Sequence, residues 1–170
     1  MNSLLKLISL FFILLLITSC SSKDEKVMFA EADKLASEKK YSEAIKAFDE
    51  LAAEFPNGDF TLKGNYTAGK IYHSLLVPDV SREESFNRAI KYYRKSAEGY
   101  PDQKDAENAL MMIGFIYANE LNNPDSAKLA YEEFLKNYPK SELVSSVKLE
   151  YENIGLTPEQ ILEKRIGTLK

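Results

Sequence analysis

Apolar positions recur along this chain with the 3.6-residue period of helices, and no segment alternates as a strand should. Three of the helical stripes stop in the same way. Ala44, Phe48, Phe55 and Pro56 stand at offsets 0, 4, 11 and 12; Ala89, Tyr93, Tyr100 and Pro101 repeat those offsets, and so do Ala127, Tyr131, Tyr138 and Pro139. An alanine four residues before an aromatic puts both on one helix face. The small residue lets a neighbouring helix approach, and the ring fills the space beside it. The proline then ends the helix, since it has no N–H to donate and biases the residue before it toward extended geometry. Successive prolines lie 45 and then 38 residues apart, a period of repeats built on helix pairs.

A second amphipathic stripe precedes each ending. Tyr66, Gly69 and Tyr72 form one, and Leu110, Ile113, Gly114 and Tyr117 another. Glycine inside a helix costs about 1 kcal/mol relative to alanine, so its return at the same place predicts close helix contact; Ala32 holds that place in the first repeat. Helix starts are marked by Ser81 with Glu84 at capping-box spacing, by Asn123 before Pro124, and by Thr157-Pro158-Glu159-Gln160. Residues 73–80 form an insertion carrying Leu75, Leu76 and Val77, which either extends the helices or packs over an edge. Beyond Pro139, Leu143, Val144, Val147 and Tyr151 make a further stripe ending near Gly155, and a short helix runs from Pro158 to about Arg165. Lys148, Glu150, Glu152 and Asn153 give this terminal part the polar outer face that an array end needs. The expectation is seven helices and a short last one.

These positions resemble the tetratricopeptide repeat, with repeats at about 25–58, 62–103 and 107–141. The sequence departs from that pattern at Leu35 and Pro124 and in the longer second repeat. The resemblance implies an all-α fold over residues 27–170: a right-handed superhelical array of antiparallel helix pairs, about three repeats plus a C-terminal capping helix. It also implies a concave groove lined by the first helix of each pair. The family's groove positions fall on Phe29 and Asp33, on Tyr66, Lys70 and His73, and on Met111, Phe115 and Asn119. Aromatic anchors beside a few polar groups suit an extended peptide or a partner helix. The alternative is that Phe29, Tyr66, Met111 and Phe115 pack against neighbouring helices or the chain's own tail.

The first nineteen residues read as an export signal, with Lys6, an apolar stretch from Leu7 to Ile17 and small residues before Cys20. Ile17-Thr18-Ser19-Cys20 resembles the bacterial lipobox, which implies cleavage before Cys20 and acylation of its thiol, with residues 20–26 as a lipidated tether. Two or more acyl chains give stable anchoring. Ser21 and Ser22 lack the aspartate that marks inner-membrane retention in such lipoproteins, which points to the outer membrane, on the periplasmic rather than the cell-surface face. Cys20 is the only cysteine, so no intramolecular disulfide exists.

Loss of residues 1–19 removes Lys6 and no acid, leaving 21 basic against 26 acidic residues and a net charge of −5. That mildly acidic balance, with no basic block, gives no footprint for nucleic acid. His73 is the only histidine and its sequence neighbours have no ligand spacing. With no phosphate-cradling loop and no nucleophile elbow, the reading is a non-enzymatic protein without metal or cofactor. The lipobox, Ser21 and the Tyr-Pro-Lys-Ser turn at 138–141 resemble BamD-type lipoproteins of the β-barrel assembly machinery. The expected function is a membrane-anchored adaptor whose groove docks other cell-envelope proteins or peptides. The alternatives are an adaptor of the Tol-Pal and peptidoglycan machinery, and a small-ligand or glycan-binding lipoprotein with a closed, tyrosine-lined pocket.

Overall fold

The computed structural model describes residues 23–99 and 104–167; the signal-peptide reading and Cys20 lie outside them. Eight α-helices follow in order: α1 Glu25–Ser37, α2 Tyr41–Glu54, α3 Asp59–His73, α4 Arg82–Gly99, α5 Lys104–Phe115, α6 Pro124–Asn137, α7 Val144–Glu152 and α8 Pro158–Gly167. A π-helical turn, Ile116–Glu120, prolongs α5. The fold is an all-α array of antiparallel helix pairs, α1 with α2, α3 with α4 and α5 with α6, followed by the shorter α7, which packs on α6, and by α8. Helix α1 begins inside the stretch read from sequence as tether. Asp24 accepts a hydrogen bond from the Val27 N–H at 3.0 Å and so caps it, and Lys23 pairs with Glu54 at 2.7 Å.

The repeated positions do what their spacing predicts. Ala44, Ala89 and Ala127 have no exposed surface, and Phe48, Tyr93 and Tyr131 beside them are buried. At Gly69 a Cβ would lie 2.7 Å from Cδ1 of Tyr93, and at Gly114 it would meet the Tyr131 ring more closely still. Each glycine is thus the notch into which the ring of its own pair's second helix presses. Burial among these rings pushes the Tyr93 and Tyr131 hydroxyls upward in pKa.

All three sequence-read helix starts are present. Ser81 Oγ accepts from the Glu84 N–H, Asn123 from the Ser126 N–H with Pro124 in the first turn, and Thr157 and Gln160 cap each other reciprocally. Helix α3 starts at Asp59, three residues before the expected boundary, because a residue distant in sequence caps it. Glu25 Oε1 accepts from the Phe60 and Thr61 N–H groups at 2.7 and 2.9 Å, a carboxylate on the positive end of a helix dipole. The insertion does not extend the helices. Helix α3 stops at His73, and the chain turns with positive φ at Leu75 and Asp79. Val77 and Val80 pack on the core while Leu75 and Leu76 stay exposed.

Contacts between pairs set the layering. Helix α1 touches α3 as well as α2, and α3 touches α5 as well as α4, so the first helices form an inner layer. Second helices stand apart and are tied by polar bridges. Tyr92 Oη donates to Asp49 at 2.8 Å between α4 and α2, and Arg94 forks onto both oxygens of Glu133 at 2.9 and 2.7 Å between α4 and α6.

Candidate functional site

The inner layer carries the groove positions on successive turns of α1, α3 and α5 and, for Asn119, on the π turn that prolongs α5, and the structure sorts them into two kinds. Asp33, Lys70 and Asn119 are exposed, whereas Phe29, Tyr66, His73, Met111 and Phe115 are half-buried. Rings of the second kind serve two purposes: one face packs on the core and an edge stays open. Phe29 lies 5.4 Å from Phe60 and 6.0 Å from Phe48, centroid to centroid. Tyr66 is 5.6 Å from Tyr93, the ring seated in the Gly69 notch. Met111 packs against the core from the third pair.

Charge is staged over these rings. Lys70 Nζ sits 5.7 Å from the Tyr66 centroid, and Lys63 Nζ, about two turns earlier on α3, is 5.1 Å from that of Phe60. An ammonium over an exposed ring is attracted by about 0.5–1 kcal/mol, which biases the two lysines toward these rings. Tyr66 titrates above the ordinary tyrosine range, because burial and then the charge of Asp105 oppose its ionisation.

His73 joins the second and third pairs. Its ring lies 6.0 Å from Phe86, 6.2 Å from Tyr93 and 6.0 Å from Phe115. That apolar setting lowers its pKa, with Glu120 pulling the other way. Sequence reasoning placed His73 and Phe115 in the groove but gave no sign of the π turn after Phe115. One extra residue per turn there rotates Asn119 and Glu120. Asn119 Nδ2 donates back to the Phe115 carbonyl, while Glu120 turns outward to an ion pair with Arg82 at the start of α4. Phe115 and Asn119 also border a cleft of about 480 Å³ whose far wall is Leu149, Ile154, Ile161 and Arg165 of α7, α8 and their connection. Helices α7 and α8 therefore wall the Phe115 end of the inner layer across this cleft.

Among the described residues no three His, Cys, Asp or Glu side chains are grouped to hold a metal, and no helix is long and apolar enough to cross a membrane.

Residues 108–141 match the family model described as "Tetratricopeptide repeat", the segment occupied by α5, α6 and the turn after them. Over 88 residues, 51% of this chain, the sequence is 28% identical to a protein of Protochlamydia amoebophila (strain UWE25) described as "Serine/threonine-protein kinase PknD". The chain spans 9% of that protein's length. The matched repeat supports a scaffold that binds other proteins, and the α1–α2 and α3–α4 pairs before it carry the same alanine–aromatic offsets.

Proposed function

We propose that this chain is a membrane-anchored scaffold whose concave face docks an envelope protein. The observation that carries the docking is the row of half-buried rings on α1 and α3, Phe29 and Tyr66, with Lys70 held over the second. Rings whose packing faces are already fixed lose little entropy on binding, the property that makes aromatic residues anchors at interfaces. The anchoring rests on Ile17-Thr18-Ser19-Cys20. A lipid at Cys20 lies within five residues of Glu25, where α1 starts, so it would hold the first helix pair close to the bilayer. The chain termini of α1, α3 and α5 that point the same way would face the membrane, and the turns at 38–40 and 74–81 would face away from it.

The BamD-like role in outer-membrane β-barrel assembly is the finer reading; the Tol-Pal adaptor remains its competitor. Metabolic labelling with an alkyne fatty acid tests the anchor: the full chain takes up label and Cys20→Ala does not. Crosslinked pulldown from the native envelope tests the docking, with Tyr66→Ala/Phe115→Ala beside the parent. Recovery of a barrel-assembly subunit that the double variant loses supports the reading; identical recovery by both forms refutes docking through the groove.

A further inference from the structure

The inner layer ends at a cavity whose lining differs from the rest of the groove. Between the end of α5 and helices α7 and α8 lies the cleft of about 480 Å³, a size common among binding pockets. Phe115, Leu149, Ile154, Leu156 and Ile161 give it apolar walls. Two of the large apolar side chains that the fold leaves exposed, Leu149 at 44% and Leu156 at 37%, thus stand together in one concavity. Apolar surface gathered in this way marks a binding site, whereas leucines scattered singly do not.

The concavity follows from the path of the chain. Helix α7 ends at Glu152, Gly155 turns the backbone at φ +74, and Thr157 and Gln160 cap the start of α8, so that residues 153–157 form one wall. Helix α8 buries no side chain of its own. Lys164 ties it to the end of α7, meeting the Glu152 carboxylate at 3.5 Å and the Glu152 carbonyl at 3.1 Å. It stands beside the cleft and does not fill it.

Three carboxamides converge on the same space: Asn119 in the π turn, Asn122 just after it, and Asn153 at the end of α7. Asn119 Nδ2 donates to the Phe115 carbonyl at 3.2 Å, which leaves its Oδ1 to accept. The side chains of Asn122 and Asn153 bond to no described residue. A carboxamide both donates and accepts, as a peptide group does, so amides around apolar walls suit a main chain that carries an apolar side chain between them. Charge selects neither sign, because Glu150 and Arg165 bring one of each to the lining. Phe115 and Asn119 belong to the groove and to the cleft alike, so a segment lying along the inner layer reaches the cleft without leaving the surface. On the reading of the inner layer as a docking face, on which this rests, we infer that the cleft is the groove's anchor pocket. It takes one large apolar side chain from an uncharged stretch of the docked segment, and the amides of Asn119, Asn122 and Asn153 pair with the peptide groups on either side.

The test uses the full chain in non-ionic detergent and two minimal probes at millimolar concentration. N-acetyl-leucinamide sets one apolar side chain between two peptide groups, and N-acetyl-glycinamide lacks the side chain. Side-chain amide and methyl resonances are followed by NMR during each titration. The expected result is saturable shifts with the leucine probe alone, at the amides of Asn119, Asn122 and Asn153 and the methyls of Leu149, Leu156 and Ile161. Leu149→Ser/Leu156→Ser should weaken binding about fivefold through lost apolar contact, and Asn119→Ala about threefold through a lost hydrogen bond. Leu75→Ser/Leu76→Ser, which removes an exposed apolar pair elsewhere, should bind as the parent does. All the altered positions are solvent-exposed, and spectra that overlay the parent's away from each change show that the fold is kept. No saturable shift, an equal response to both probes, shifts as large at Leu75 and Leu76 as in the cleft, or undiminished binding by both cleft variants overturns the inference. The probes require no envelope partner, so failure here leaves docking through the groove to its own pulldown.

Discussion

Replacing Gly69 by alanine sets two effects of opposite sign against each other. In an exposed helix interior the change would stabilise by about 1 kcal/mol, since alanine restricts the unfolded chain and favours the helix. Here the new methyl would stand 2.7 and 2.8 Å from Cδ1 and Cε1 of Tyr93 and 3.1 Å from Cγ. Ordinary carbon contacts begin near 3.5 Å, so the ring must retreat by roughly 0.8 Å. Tyr93 is 1% exposed and lies against Tyr66 and His73, which leaves it no free direction. Overpacking of this kind costs about 1–3 kcal/mol. With three ring atoms in the way we place the cost near 2, for a net loss of about 1 kcal/mol. Urea unfolding followed by circular dichroism measures it, with an unchanged slope showing that the unfolded state is unaltered. In a Tyr93→Leu background the obstruction is gone, and Gly69→Ala should stabilise by about 1 kcal/mol, a coupling of about 2 kcal/mol across the contact. If Gly69→Ala raises the midpoint in the parent background, the glycine is not there for close approach and the notch-and-ring account fails.

Other expectations follow from single contacts. Glu25→Ala removes the cap of α3 and should cost about 1–2 kcal/mol, with Glu25→Gln, which keeps an acceptor, costing less; urea midpoints of the two variants decide it. His73 has a lowered pKa in the fold, so its neutral form is the one the fold favours. Above the unfolded value of about 6.5 it contributes no pH dependence; as pH falls below that, the unfolded chain takes a proton first and stability declines until the folded group titrates. A midpoint that drops between pH 7 and 5 in the parent and stays level in His73→Leu is the expected result; parallel curves would count against it. Thr157→Ala breaks the reciprocal cap of α8, a helix with no buried side chain, so hydrogen exchange should speed up across 158–167 while the global midpoint stays within about 0.5 kcal/mol.

Much of the fold was legible because repetition amplifies weak signals. An alanine, a ring and a proline at fixed offsets, met three times, locate the second helices, and the returning glycine locates their contact with the first. The capping signals at Ser81, Asn123 and Thr157 act over three residues and can be read locally. What stayed hidden depends on residues far apart in sequence. Glu25 reaches α3 across thirty-five residues, and no spacing rule connects them. The π turn after Phe115 follows from no residue type. The insertion was ambiguous because Leu75, Leu76 and Val77 are all apolar, and only the turns at Leu75 and Asp79 separate the inward valines from the outward leucines.

The groove positions came from resemblance alone. Its eight positions fall on the inner layer, but periodicity cannot say whether a ring on a helix face packs or binds, and Phe29 and Tyr66 do part of each.

The claim that the concave face binds a protein is tested most directly by a photocrosslinking amino acid placed, in living cells, at Lys70 on the inner layer and at Leu129 on the outer face of α6. Leu129 is 67% exposed, so both positions are open to solvent. The account predicts a discrete protein adduct from position 70 that Tyr66→Ala weakens, and none of that mass from position 129. The same adduct from both positions, or from 129 alone, would contradict it.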